Sequence, residues 1–173
     1  MAKLWCYCQE EFDDAFRDTG LPEGASAISI IGTPEVLTEY LEEPETTHLL
    51  PDGPRVLNLE FDDIACPMVY RKGIHAYGIT DSRAARIVQF LEATVARGDD
   101  IYVHCRAGQS RSQAIIRYVK SRWEGPWETN PLNPDITPNY YVLGKLREYE
   151  NKQNIHSQGE GTLESNGDST SEQ

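Results

Sequence analysis

One short segment limits the fold of this chain more than any other part of its sequence. The apolar run at 101–104 is typical of a buried strand, and a helical pattern follows from Ser112 to Trp123. Only a short connection that contains Gly108 separates the two. A strand that passes so directly into a helix is typical of a parallel α/β sheet, whose ligands bind beyond the carboxyl ends of the strands.

The rest of the sequence repeats this alternation of strands and helices. Strands are predicted over residues 3–7, 25–31, 55–61 and 101–104. Helices are predicted over residues 9–20, 33–43, 80–97 with Gly98 as the stop, 112–123, and from 140 onward. Residues 62–80 carry no clear periodicity and are expected to form an irregular loop. The predicted fold class is therefore α/β, with a central, mostly parallel sheet flanked by helices.

The chain is expected to form one domain over residues 1–150, followed by a disordered acidic tail over residues 151–173. Its 173 residues match the usual size of a single domain with its own core. From residue 151 onward there are no aromatic residues and few apolar ones, and such a composition does not bury a core.

Charge and composition exclude several classes of partner. The formal net charge is -12, from 16 Lys and Arg against 28 Asp and Glu, which opposes binding to nucleic acid or to an anionic membrane. No long apolar run indicates a membrane span or a secretion signal, so a cytoplasmic location and reduced thiols are expected. The spacing of Cys6 and Cys8 lacks a second ligand pair, so neither a metal nor another cofactor is predicted.

The connection after the predicted strand carries groups that suit a phosphate ester. A loop at a helix N-terminus points backbone N–H groups inward, and Gly108 permits the backbone angles that such a loop needs. Arg111 offers a planar fork for two phosphate oxygens. A thiol beside that guanidinium and the helix N-terminus loses its proton readily, so Cys105 is the predicted nucleophile. Ser112 is expected to hydrogen-bond the thiolate and help it leave.

The neighbours of Cys105 are expected to shape the anion site. His104 is predicted to orient the loop through its ring nitrogens rather than to act as an acid or base. The predicted phosphate-binding residues are Arg106, Ala107, Gly108, Gln109, Ser110 and Arg111.

This run, His-Cys-x-x-Gly-x-x-Arg-Ser, resembles the signature of the protein-tyrosine phosphatase superfamily. The chain looks most similar to the compact dual-specificity type and to small phosphatases of bacteria and phages, over about residues 56–123. The resemblance implies a dual-specificity phosphatase-like fold and a two-step displacement through a cysteinyl-phosphate. It also implies an aspartic acid that first protonates the leaving oxygen and then activates water.

The resemblance places this acid just after the strand at 55–61, which leaves Asp62 and Asp63 as candidates. Asp63 is preferred because strand-Phe-x-Asp resembles the bacterial relatives, and Asp62 is the alternative. Asp81 is interpreted instead as a helix cap, a role for which Thr80 is the alternative. The chain lacks the Trp-Pro-Asp tripeptide of the large classical enzymes, and its loop from Asp63 to Asp81 is longer than in most compact members.

The predicted function is hydrolysis of phosphotyrosine, and also of phosphoserine or phosphothreonine, in a protein or peptide substrate. The alternative is a non-catalytic pseudophosphatase that binds phosphoproteins. The loop 62–80 contains a basic and aromatic group that either contacts the substrate or is an ordinary exposed loop, namely Tyr70, Arg71, Lys72, His75 and Tyr77.

Overall fold

The computed structural model describes residues 1–34, 48–71, 73–130 and 136–159, the last four of these as backbone only. The strands are β1 (Leu4–Tyr7), β2 (Ala25–Ile31), β3 (Val56–Glu60), β4 (Met68–Arg71), β5 (Ile74–Tyr77) and β6 (Asp100–His104). The helices are α1 (Gln9–Phe16), α2 (Asp81–Arg97), α3 (Arg111–Arg122) and α4 (Tyr140–Gly159).

The main sheet has four strands in the order β1-β6-β2-β3, and each neighbouring pair is parallel. The predicted fold class, α/β with a central parallel sheet flanked by helices, is therefore confirmed. Because all four strands run the same way, their carboxyl ends meet at one edge of the sheet. Cys105 directly follows β6 at this edge, between the ends of β1 and β2.

Side-chain alternation along the strands divides the core into two layers. Leu4, Cys6, Val103 and Cys105 belong to the larger layer, which the side chains of α2, α3 and α4 complete. The intervening residue Tyr102 faces the smaller layer, where α1 packs through its two phenylalanines. Neighbouring residues in this part of the chain therefore serve opposite faces of the sheet.

The segment predicted as an irregular loop, 62–80, instead contains a β-hairpin. Strands β4 and β5 are antiparallel, and Met68 pairs with Tyr77 while Arg71 pairs with Ile74. Each strand has four residues, none of which is buried, so the segment is too short and too exposed to give a clear strand signal in the sequence.

Three other predictions concern helices. Helix α2 ends as predicted, because Gly98 takes a left-handed conformation, and of the two candidate N-caps, Thr80 and Asp81, Thr80 takes this position. Helix α4 continues to Gly159, past residue 151 where the tail was predicted to begin. Its polar end contains no Pro, and Lys152 pairs with Glu148 at 2.7 Å.

The limits of the folded domain stay a prediction. Most of the helix predicted over 33–43 and the remainder of the predicted tail, 160–173, lie outside the described residues. Within the residues that the structure describes, no helix is both long and apolar enough to cross a membrane.

Candidate active site

The loop from Cys105 to Arg111 is anchored against the junction of β1 and α1. Gly108 has a φ of 65°, and a Cβ at this position would come within 2.8 Å of the backbone of Tyr7 and Cys8. The N–H of Gln9 donates to the Arg106 carbonyl at 3.1 Å. Glycine is therefore required here both for its backbone angle and for the close approach of the two segments.

The Cys105 thiol lies buried at the N-terminus of α3, with 2% of the residue exposed. Burial by itself raises its pKa. The Arg111 guanidinium, the Ser112 hydroxyl and the N–H groups of Ser112 and Ser110 outweigh that effect and hold the pKa of Cys105 below its ordinary value. Its Sγ lies 3.1 Å from Ser112 Oγ. Cys105 is thus the thiol whose surroundings favour a thiolate.

Arg111 is buried and fixed in place at one end of its guanidinium. Its Nη1 donates to the Phe61 carbonyl at 2.6 Å, which ties the loop to the exit of β3. Its Nε is buried and has no hydrogen-bond partner among the described residues. A buried donor without a partner is costly, and a phosphate oxygen at this position would satisfy it.

Asp62, one of the two candidate acids, serves as an anchor for the neighbouring backbone. It is 3% exposed, and its carboxylate accepts hydrogen bonds from Thr33 N, Thr33 Oγ1 and Tyr77 N at 2.7–2.8 Å. Both oxygens are therefore occupied by groups that join the end of β2 to the hairpin. This arrangement leaves Asp62 little capacity to exchange a proton with a substrate.

Asp63, the other candidate acid, is exposed at the mouth of the site. Its Oδ1 accepts from Ser110 Oγ and from Asn139 Nδ2, each at 2.7 Å. The other carboxylate oxygen has no hydrogen-bond partner within the described ranges. One oxygen of Asp63 is thus held in position while the second faces open space.

Asn139 was not identified in the sequence, although it links three parts of the site. Its Oδ1 accepts the N–H groups of Tyr141 and Val142 and so caps α4, while its backbone N–H donates to the Ser110 carbonyl at 3.1 Å. The Asn before the predicted closing helix was a visible capping signal. Its second contact, to Asp63, crosses 76 positions of the chain and has no local signal.

Among the described residues, the ring nitrogens of His104 make no hydrogen bond to the loop that they were predicted to orient. The ring is buried and stacks on Phe12 with centroids 4.1 Å apart, and neither nitrogen has a partner among the described residues. Burial, with smaller contributions from His48 and Arg111, lowers its pKa to about 3. Side-chain alternation along the strand explains where the His104 ring lies. Cys105 faces the larger core layer, so the residue before it faces α1.

Some of these side chains line a pocket of about 340 Å³. Its lining includes both aspartates, Arg106 and Arg111, with apolar walls from Ile64, Val69, Ile74 and Ala76. Of the remaining predicted phosphate-binding residues, Ala107 and Gln109 have exposed side chains outside the lining, and Ser110 contacts Asp63. If Ala107 and Gln109 take part in phosphate binding, they would do so through their backbone.

The β4–β5 hairpin places the basic and aromatic residues of segment 62–80 on two different sides. Arg71 lines the pocket on the same side as Val69, Ile74 and Ala76. The opposite side of the hairpin carries Tyr70, His75 and Tyr77. The centroid of the His75 ring lies 4.7 Å from that of Tyr70 and 6.0 Å from that of Tyr77. Lys72 lies outside the described residues. In the part of the chain that the structure describes, no group of three metal-ligating side chains is found.

Two curated proteins are similar to part of this chain. Tyrosine-protein phosphatase vhp-1 of Caenorhabditis elegans is 36% identical over 69 residues, or 36% of this chain. Dual specificity protein phosphatase 16 of Homo sapiens is 37% identical over 71 residues, or 38% of this chain. The chain spans only 10–11% of the length of these relatives. No family model matches the chain.

These similarities confirm, for the matched third of the chain, the predicted resemblance to the dual-specificity type of the protein-tyrosine phosphatase superfamily. Over that third, the chain is similar to protein phosphatases. A crystal structure of human tyrosine phosphatase-like serine/threonine/tyrosine-interacting protein aligns with 75% of this chain and 79% of its own, with 19% identity and a TM-score of 0.41.

Proposed function

We propose that this protein is a cysteine-dependent phosphatase that hydrolyses phosphotyrosine, with phosphoserine and phosphothreonine as further substrates, in protein or peptide partners. The observation that carries the proposal is the position of Cys105. A buried thiol with a lowered pKa directly follows a strand and lies beside Arg111, which lines a pocket together with the exposed Asp63. The cytoplasm remains the proposed location, and nucleic acid and membranes are not proposed as partners.

In the first step, the substrate phosphate binds in the loop 105–111. The backbone N–H groups at the start of α3 and the free Nε of Arg111 neutralise its oxygens. The Cys105 thiolate then attacks phosphorus, and the bond from phosphorus to the ester oxygen breaks as the S–P bond forms. Groups that are fixed before the reaction stabilise the developing charge without further reorganisation.

Asp63 is the proposed general acid for this step. Its carboxyl proton passes to the leaving phenolate or alkoxide, which departs as a neutral hydroxyl. The bonds from Ser110 and Asn139 hold one carboxylate oxygen, and the unpaired oxygen is the one that can carry the proton. Asp62 is not proposed for this role, because three protein donors occupy its carboxylate.

In the second step, water replaces the sulfur on phosphorus. Asp63, now ionised, takes a proton from the water, and the resulting oxygen attacks the cysteinyl-phosphate. The S–P bond breaks and the electron pair returns to Cys105 as a thiolate. The hydroxyl of Ser112, 3.1 Å from that sulfur, stabilises the leaving charge.

The pocket supports an aryl ester as the preferred substrate. Its volume of about 340 Å³ accommodates a phenyl ring, and the apolar side chains of Ile64, Val69, Ile74 and Ala76 offer the ring a wall. Arg71 and Arg106 line the same space. A phosphotyrosine side chain would place its phosphate near Arg111 and its ring against this wall.

The test is vanadate-sensitive hydrolysis of a small aryl phosphate by the full chain. We expect turnover by the wild-type protein and by Cys66→Ser, and none by Cys105→Ser, with circular dichroism confirming that each variant is folded. Turnover by Cys105→Ser would refute the mechanism. Binding of a phosphotyrosine peptide without turnover by the wild type would favour the alternative of a phosphoprotein-binding pseudophosphatase.

A further inference from the structure

A second thiol lies directly behind the nucleophile, on β1. Cys6 pairs with Val103 in the parallel register of β1 and β6, two residues before Cys105, so both cysteines face the same side of the sheet. Cys6 is 5% exposed and is not oxidised to a disulfide. It does not line the substrate pocket, so its contacts are with the protein itself.

The hydroxyl of Ser112 lies between the two sulfur atoms. Its Oγ is 3.1 Å from Cys6 Sγ and 3.1 Å from Cys105 Sγ, and Ser112 is fully buried. The Gly108 carbonyl, 3.3 Å from Cys6 Sγ, is a second acceptor for the same thiol proton, and Gln113 Nε2 already donates to this carbonyl. A serine hydroxyl carries a single proton, so it can donate to only one of the sulfurs at a time.

The two thiols differ in which form their surroundings favour. Burial raises the pKa of Cys6 to about 12, so this residue keeps its proton and can donate it. The pKa of Cys105 is lowered by Arg111, Ser112 and two backbone N–H groups despite its burial. A thiolate is the stronger acceptor, so the hydroxyl proton of Ser112 points toward Cys105.

We propose that Cys6 is a positioning residue whose thiol donates to Ser112 Oγ and thereby keeps the hydroxyl proton directed at Cys105 Sγ. A hydroxyl that accepts a hydrogen bond is a better donor, so the thiolate is stabilised through Ser112. The proposal rests on the proposed role of Cys105 as the nucleophile. Cys6 itself does not contact the substrate or exchange a proton with it.

Other groups also act on this chain of contacts. Arg111 and the N–H groups of Ser112 and Ser110 act on Cys105 directly, while Gln113 and Glu11 act on Cys6. Gln113 Nε2 also donates to the Gly108 carbonyl at 3.1 Å. Because these contributions persist when Cys6 is replaced, the effect of the replacement on Cys105 is expected to be small but measurable.

The test is the pH dependence of alkylation of Cys105 by iodoacetamide, followed by mass spectrometry of its peptide under reducing conditions. Only the thiolate reacts, so the profile reports the ionisation of Cys105 without any substrate. We expect Cys6→Ala to shift the profile to higher pH and to slow alkylation about twofold to threefold below the midpoint. Cys6→Ser, which keeps a donor, should lie close to the wild type.

Two further variants separate positioning from packing. Cys6→Val fills the space without a donor and should behave like Cys6→Ala, whereas Cys66→Ala should leave the profile unchanged. In a Ser112→Ala background, Cys6→Ala should add nothing, since the link between the two sulfurs is already gone. Coincident profiles for wild type, Cys6→Ala and Cys6→Val would overturn the proposal, and so would an equal shift in Cys6→Ser. A chain without phosphatase activity would still give these results, so this test and that of the proposed function fail separately.

Discussion

The two sides of the pocket are built in different ways. The nucleophile side is one continuous segment, 105–112, in which a strand end, a glycine turn and a helix N-terminus bring main-chain N–H groups and Arg111 around a buried sulfur. The acid side is assembled from Asp63, Ser110 and Asn139, and only side-chain contacts and one backbone bond join them. The Cys105 and Arg111 side chains of the first are buried, whereas the Asp63 carboxylate of the second is exposed.

We therefore expect substitutions to affect the roles of nucleophile and general acid separately. Changes on the nucleophile side should alter the ionisation of Cys105 and the binding of every phosphate ester. Changes on the acid side should matter mainly for esters with poor leaving groups, because only these need a proton as they depart.

Among variants that retain Cys105, the largest expected effect comes from Arg111→Lys. Lysine lacks the planar fork and cannot hold both a phosphate oxygen and the Phe61 carbonyl in the same geometry. We expect kcat/KM to fall by about 10³-fold. Because the guanidinium lowers the pKa of Cys105, weakening it should raise that pKa and move the acidic limb of the pH–rate profile to higher pH.

The matched control is Arg117→Lys, on the exposed face of α3. It should leave kcat/KM and the pH–rate profile as they are in the wild type. A loss of less than about tenfold in Arg111→Lys would contradict the proposed clamp.

The next effect distinguishes the neighbouring aspartates. Asp63→Asn should lower kcat about 10²-fold or more on a phosphotyrosine peptide and much less on an aryl phosphate with a good leaving group. The measurement is a plot of log kcat against the pKa of the leaving group. It should be nearly flat for the wild type and steep for the variant.

Asp62→Asn serves as the comparison for Asp63→Asn. It replaces an acceptor of three hydrogen bonds in a buried site, so we expect the free energy of unfolding to fall by about 2–3 kcal/mol, measured by urea denaturation. Its leaving-group plot should stay flat. A steep plot for Asp62→Asn and a flat one for Asp63→Asn would reverse the assignment of the acid.

The smallest expected effect comes from Asn139→Ala. The variant loses the cap of α4, which costs about 1 kcal/mol of unfolding free energy, and it frees Asp63 from one of its two holding bonds. Asn139→Ser retains a capping oxygen but cannot donate from an amide. If Asn139 positions the acid, both variants should show the same modest loss of kcat on poor leaving groups, while only Asn139→Ala loses stability.

Where local pattern and tertiary structure agree, the sequence was sufficient to predict the structure. Strand β2 occupies the predicted residues, and α2 ends at Gly98 because only glycine adopts the left-handed angle there without strain. The nucleophile segment was visible for the same reason, since Cys105, Gly108 and Arg111 are close in sequence. The hairpin was missed because its two strands have only four residues each and no buried position.

Contacts between distant segments had no comparable signal. The bond from Asn139 to Asp63 crosses 76 positions and that from Cys6 to Ser112 crosses 106. The sequence did not distinguish the surroundings of the adjacent Asp62 and Asp63. The difference depends on the hairpin backbone, where the Tyr77 N–H donates to the Asp62 carboxylate. The orientation of His104, in contrast, could have been inferred from alternation along β6, given that Cys105 must face the helix that follows it.

The most direct test of the account is to detect the covalent intermediate. Wild-type protein and Asp63→Asn would be mixed with an aryl phosphate that has a good leaving group, denatured within milliseconds and analysed by mass spectrometry. We expect phosphate on the peptide that contains Cys105, with more of it in Asp63→Asn because hydrolysis of the intermediate lacks its base. Turnover with no phosphate on Cys105, or with phosphate on another residue, would contradict it.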